Sequence, residues 1–132
     1  MTLTATCHCG ATRIALPTHP EHGTRCNCTY CARTGAVWAY YNPGELTFLS
    51  RAGERMYSTS PDMHQHYFCG TCGMQTWGES PDWASAFNDD GTPKGEANAI
   101  PTARKQSINL RLVDDLDWSR VEIADLDGRN SW

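Results

Sequence analysis

The segment Cys26-Asn27-Cys28-Thr29-Tyr30-Cys31 places three cysteines within six residues. Two further pairs flank it, Cys7-His8-Cys9-Gly10 and Cys69-Gly70-Thr71-Cys72-Gly73, so all seven cysteines fall into three clusters. Zinc takes thiolates at ~2.3 Å in a tetrahedron, which sets the sulfurs roughly 3.8 Å apart. A C-x-x-C turn meets that spacing when its backbone folds back sharply, and Gly70 and Gly73 supply the freedom to do so. A C-x-C pair projects both Cβ atoms to one side of a strand, and Gly10 then lets the chain turn away. Two such halves, distant in sequence, can form a four-thiolate site that clips loop ends together and supports the fold.

Seven is the informative count. Two closed four-cysteine sites need eight thiolates, so seven leave one site with three and a free position, the pattern that separates catalytic from structural zinc. The economical partition keeps Cys26, Cys28 and Cys31 on one open site and gives Cys7, Cys9, Cys69 and Cys72 the closed one. Spacing alone leaves alternatives open. One is a single zinc with three spare thiols; another is a second structural zinc completed by His8, His64 or His66. A disulfide framework is a third, disfavoured by the odd count and by the strain of C-x-C bridges.

A length of 132 residues fits one domain, 1–132, with a core of ordinary size. The net charge of -4, with no block of Lys or Arg, argues against a role resting on phosphate neutralisation, so no nucleic-acid partner is expected. The first six residues lack the basic and apolar regions of a secretory signal, and no apolar run reaches the ~20 residues of a membrane span. The expectation is a soluble cytoplasmic protein with no membrane partner, where cysteines serve as metal ligands rather than disulfides.

The remaining pattern is mainly β. Residues 1–24 read as a strand pair broken by the first cluster, and 25–35 as a cysteine-rich turn ending at Gly35. Short strands are expected at 37–41, 46–49, 55–58, 67–68 and 74–77, then at 107–112 with Ile108, Leu110 and Leu112 on one face, and near 121–123. Residues 79–102, rich in Gly, Pro, Asn and Asp, read as mostly loop, and a turn or short helix is expected around 114–119. No helix pattern exceeds about two turns.

The three clusters in this order, with Ala11 after the first, Ala32-Arg33-Thr34-Gly35 after the second and Phe68 before the third, resemble the glutathione-dependent formaldehyde-activating enzyme family, which includes centromere protein V. The strand Ile108-Asn109-Leu110-Arg111-Leu112, the following pair Asp114-Asp115 and the late Asp127-Gly128-Arg129 fit its C-terminal part. The resemblance implies an all-β, zinc-pinned β-tent of short antiparallel strands with little helix. It implies two zinc ions, a structural one on Cys7, Cys9, Cys69 and Cys72 and a catalytic one on Cys26, Cys28 and Cys31. The implied activity is that of a carbon–sulfur lyase joining glutathione and formaldehyde as S-hydroxymethylglutathione, with glutathione or another thiol as co-substrate. Met74 and His66 depart from the common family residues, and neither is a ligand in that scheme.

On this reading the open site binds a substrate thiol, which loses its proton on coordination yet stays nucleophilic, and holds it beside an aldehyde. His64 and His66 are candidates to move the proton, against the plainer reading of exposed strand histidines. Trp38, Tyr40, Tyr41, Trp77, Trp83 and Phe87 are candidates to line a pocket, although such residues are usually core. Arg33 stands where it could meet a substrate carboxylate or simply remain solvated. The rival functions are a non-catalytic zinc module for a protein partner and a metal-buffering or redox-sensing protein.

Overall fold

The computed structural model describes residues 2–96 and 99–131. Alternating apolar residues build two sheets, and the cysteine turns lie where strands reverse or meet a helix. The smaller sheet contains β1 (Thr4–Thr6), β2 (Thr12–Ala15) and β5 (Thr47–Arg51), in that spatial order. The larger contains β3 (His22–Cys26), β4 (Trp38–Tyr41), β6 (Glu54–Tyr57), β7 (Gln65–Cys69), β8 (Gln75–Pro81), β9 (Arg104–Asn109) and β10 (Glu122–Leu126). Its order is β10-β3-β4-β9-β8-β7-β6. The α-helices among the described residues are short, α1 (Thr29–Thr34) and α2 (Gly128–Ser131).

Period-two alternation gives the large sheet two different faces. One face carries the aligned row Ala39, Ile108, Trp77 and Tyr67, which packs against Ile14 and Phe48 of the small sheet. Ile14, Ile108 and Leu110 are fully buried there, and Trp77 lies 4.6 Å from the Phe48 ring and 4.3 Å from Tyr67. The opposite face carries the row Tyr40, Ser107, Gly78, His66 and Tyr57, one residue from each of five neighbouring strands. A one-residue slip would exchange the two rows, so burial of the first row fixes the presentation of the second.

Several expectations need correction. The strand expected at 107–112 ends at Asn109, and Leu110–Leu112 form a 3-10 turn. The Asn109 side chain accepts from the Arg111 amide at 3.1 Å, offering the backbone a turn in place of a ladder. Leu110 still reaches the core, its amide bonded to the Val37 carbonyl. Residues 29–34 are helical rather than a simple turn, closed by Gly35 at φ +68°. The loop expected from 79 begins later, because β8 runs to Pro81 and a 3-10 turn follows at Trp83–Ala86. Finally, the sheets are not wholly antiparallel. β10 pairs with β3 in parallel, from Glu122 opposite His22 to Leu126 opposite Cys26. Strand direction is set by the path of the connecting chain, which no residue pattern records.

The β6–β7 hairpin brings two backbones very close. A Cβ at Gly70 would stand 2.4 Å from the Gly53 carbonyl oxygen, which also accepts the Gly70 amide. Gly70→Ala should therefore lower stability by about 2 kcal/mol, measured as a fall in thermal midpoint. An unchanged midpoint would refute this account of the hairpin.

Candidate metal centres

Two turns of the same design face each other between the sheets. In the first, between β1 and β2, the Cys7 amide bonds the Thr12 carbonyl and the Gly10 amide bonds the Cys7 carbonyl, with Gly10 at φ +84°. In the second, between β7 and β8, the Cys69 amide bonds the Met74 carbonyl and the Gly73 amide bonds the Cys69 carbonyl, with Gly73 at φ +80°. Positive φ is cheap only for glycine, which explains both glycines. The turns bring the sulfurs of Cys7, Cys9, Cys69 and Cys72 within 4.8 Å of one another. Cys7 and Cys9 stand 3.7 Å apart and Cys9 and Cys69 3.6 Å, close to the spacing in a tetrahedral thiolate site. Backbone amides point at the sulfurs, from Thr12 to Cys7 at 3.2 Å and from Cys72 to Cys69 at 3.5 Å.

Charge is unevenly shared in this cluster. The Cys9 and Met74 amides pull the Cys72 thiol down to about 6. The Ala11 amide favours the Cys9 thiolate, but desolvation and the sulfurs of Cys69 and Cys7 outweigh it and raise Cys9 to about 11. Four sulfurs this close cannot all ionise without a cation among them. The donor set and spacing fit a zinc ion.

The second cluster, Cys26, Cys28 and Cys31, lies where β3 runs into α1. Cys28 is the helix N-cap; its sulfur accepts the Cys31 amide at 3.3 Å, and the Cys26 sulfur accepts the Cys28 amide at 3.4 Å. Burial opposes ionisation of Cys28, but the Cys31 amide and thiol, with further donors, bring its pKa below the ordinary value. Burial pushes Cys31 up to about 12, and the neighbouring Cys28 adds to the rise. This set also fits a thiophilic cation, with three donors instead of four. Among the described residues no histidine or carboxylate joins it.

The tripod adjoins the open face of the large sheet. The Tyr30 hydroxyl donates to Gln75 Oε1 at 2.6 Å, and its ring stacks on His66 with centroids 4.0 Å apart. Desolvation and the negative sulfurs of Cys31 and Cys28 hold the Tyr30 phenol well above its usual range. Tyr40 is raised to about 12 by desolvation and by the sulfurs of Cys31, Cys26 and Cys28, so both tyrosines keep their protons. His66 is half-buried, and desolvation, with His64 nearby, lowers its pKa below 6.5. It is neutral at pH 7.

The histidines therefore part company. His66 meets Tyr30, whereas His64 faces Trp83 at 6.1 Å. Of the candidate aromatics, Trp38, Tyr41 and Trp77 are buried, while Tyr40, Trp83 and Phe87 are exposed. The Arg33 guanidinium donates to the Thr29 carbonyl at 2.8 Å within its own helix. Sequence reasoning missed Tyr30, Tyr57 and Gln75. Tyr30, between Cys28 and Cys31, offered a signal; the other two join only through strand register.

The sequence model of the glutathione-dependent formaldehyde-activating enzyme family matches residues 2–100. The chain belongs to that family. A relative from Halomonas elongata, provisionally named as a glutathione-dependent formaldehyde-activating enzyme, is 28% identical over 146 aligned positions, spanning 96% of this chain and 85% of that protein. A crystal structure of a Rhodobacter sphaeroides protein shares the fold, with a TM-score of 0.60 at 24% identity over 92% of this chain and 99% of its own. The match to the glutathione-dependent formaldehyde-activating enzyme family stops before β9, so β9, β10 and α2 lie beyond it. No helix among the described residues is long and apolar enough to cross a membrane.

Native mass spectrometry should find two zinc ions per chain. Cys28→Ala should carry one and keep its cooperative unfolding, whereas Cys69→Ala should lose the cooperative transition. A Cys28→Ala protein with two ions would contradict this division.

Proposed function

We propose that residues 1–132 act as one zinc-dependent unit, a carbon–sulfur lyase that forms or cleaves a thiol–aldehyde adduct such as S-hydroxymethylglutathione. The observation that carries this reading is the three-cysteine cluster beside an open sheet face, with no fourth side-chain ligand among the described residues. Family membership and the provisional name of the Halomonas relative support glutathione and formaldehyde as the reactants. Cys7, Cys9, Cys69 and Cys72 would hold the structural ion, and Cys26, Cys28 and Cys31 the reactive one. Bound to the tripod, zinc would supply a position where a substrate thiol ionises near neutral pH.

The protein's own groups then orient and move protons. In the forming direction a carbon–sulfur bond forms, the carbonyl π pair moves to oxygen, and that oxygen takes a proton; cleavage reverses each change. His66, neutral and stacked beside Tyr30, is the group assigned to remove the hydroxyl proton in cleavage and return it in formation. Gly78, directly paired with His66 across β7 and β8, keeps that row free of a side chain beside the imidazole. Tyr40 and Tyr57, about half exposed at 49% and 53%, offer flanking ring surface for the adduct.

Exchange NMR of glutathione with labelled formaldehyde tests the assignment. Cys28→Ser should slow the catalysed exchange at least about 100-fold, and full activity in that variant would sink the proposal. His66→Gln should retain both ions and slow exchange about tenfold. As pH falls through the depressed His66 pKa, the imidazole gains a proton and can no longer accept one. Cleavage should therefore show an acid limb below about pH 6.5 that disappears in His66→Gln; a limb that persists unchanged would remove His66 from the mechanism.

A further inference from the structure

Asn27, the residue between the first two cysteines of the tripod, has all four of its polar atoms engaged by the C-terminal segment. Its amide donates to the Leu126 carbonyl at 3.1 Å, and its Nδ2 donates to Asp127 Oδ1 at 2.9 Å. Its Oδ1 accepts the Arg129 amide at 2.9 Å, and its carbonyl accepts Arg129 Nε at 3.0 Å. Residue 25 is fastened in the same way, Arg25 forming a two-point ion pair with Asp125 at 2.9 and 3.1 Å. Asp127 is itself fixed by Asn130, whose Nδ2 reaches both carboxylate oxygens at 3.0 and 2.9 Å. The parallel pairing of β10 with β3, ending at Leu126 opposite Cys26, delivers this segment to the loop.

The contrast with the closed cluster gives these contacts their meaning. There, Cys7 and Cys69 are buried at 2% and 0% exposure, Cys9 is exposed and Cys72 half-buried, and turns from two sheets supply the four sulfurs. The tripod has no buried cysteine, and its three ligands come from one short stretch of chain. In a C-x-C pair the middle side chain points away from the ligands, so a partner on that side can fix both sulfurs without occupying the metal's open position.

We propose that Asn27, Asp127 and Arg129 form a clasp that positions the tripod and sets how long it retains its metal. The C-terminal segment does for the three-cysteine site what the second turn, with its two sulfurs, does for the closed one. Asn27 is a positioning residue, and this inference rests on the two-ion reading above. Outer contacts of this kind alter metal retention by about 10- to 100-fold when removed.

The test uses the full-length zinc-loaded chain and follows release of each ion to a chromogenic chelator. Two release phases in the unmodified protein test the two-ion reading; a single ion would overturn that reading and the clasp with it. Given two phases, Asn27→Ala and Asp127→Ala should each speed the fast phase at least about tenfold and leave the slow phase unchanged. Asp127→Asn, which keeps an oxygen for Asn27 Nδ2, should stay within about twofold of the unmodified rate. An unchanged fast phase in both alanine variants would overturn the clasp while leaving the two-ion reading intact. Equal acceleration of both phases would overturn it too, because it reports general loosening.

Discussion

The convergence of Cys7, Cys9, Cys69 and Cys72 is the constraint on which the architecture turns. It ties a β1–β2 turn in one sheet to a β7–β8 turn in the other, across 60 residues between Cys9 and Cys69. Both turns are built alike, with cross-turn backbone bonds and a glycine at positive φ, so each presents sulfurs and amides to the same point. Crowded thiols oppose one another's ionisation, and a cation removes that opposition. Where the turns meet, the sheets must pack face to face, with Ile14, Phe48, Trp77 and Ile108 between them.

That packing decides which side of the large sheet remains available. With Ala39, Ile108, Trp77 and Tyr67 committed to the core, Tyr40, Ser107, Gly78, His66 and Tyr57 are presented outward. The helix that carries Cys28 and Cys31 also carries Tyr30 to His66 and Gln75, joining the tripod to this face. The two clusters are thus divided by environment as well as by ligand number. One joins turns from two sheets through four sulfurs; the other draws three sulfurs from one stretch of chain beside an open face.

The C-terminal chain extends the same logic. β10 itself brings only Ile123 against the core, next to Val121 just before it, yet its parallel register lays residues 125–129 against the tripod loop. Hydrogen bonds exposed to water contribute little each to global stability. Four converging on one residue can nevertheless restrict a loop whose geometry is set to within tenths of an ångström by its ligand spacing. Stability and site geometry are therefore supported by different parts of the chain.

The sequence by itself determined the cysteine inventory, the three-cluster spacing, the glycines and the mainly β character, because these are local: a C-x-C or C-x-x-C pair and a period-two pattern carry their geometry with them. It located most strands to within a few residues, and it placed Cys7, Cys9, Cys69 and Cys72 apart from Cys26, Cys28 and Cys31 on spacing and family resemblance. Only the tertiary structure decided that β10 runs parallel to β3, that Asn109 ends its strand, and that His66 rather than His64 meets Tyr30. It alone set Asn27 against Asp127 and Arg129, a separation of about 100 residues. Those outcomes depend on strand order and chain path, and a residue's neighbours across a sheet are not written in its neighbours along the chain.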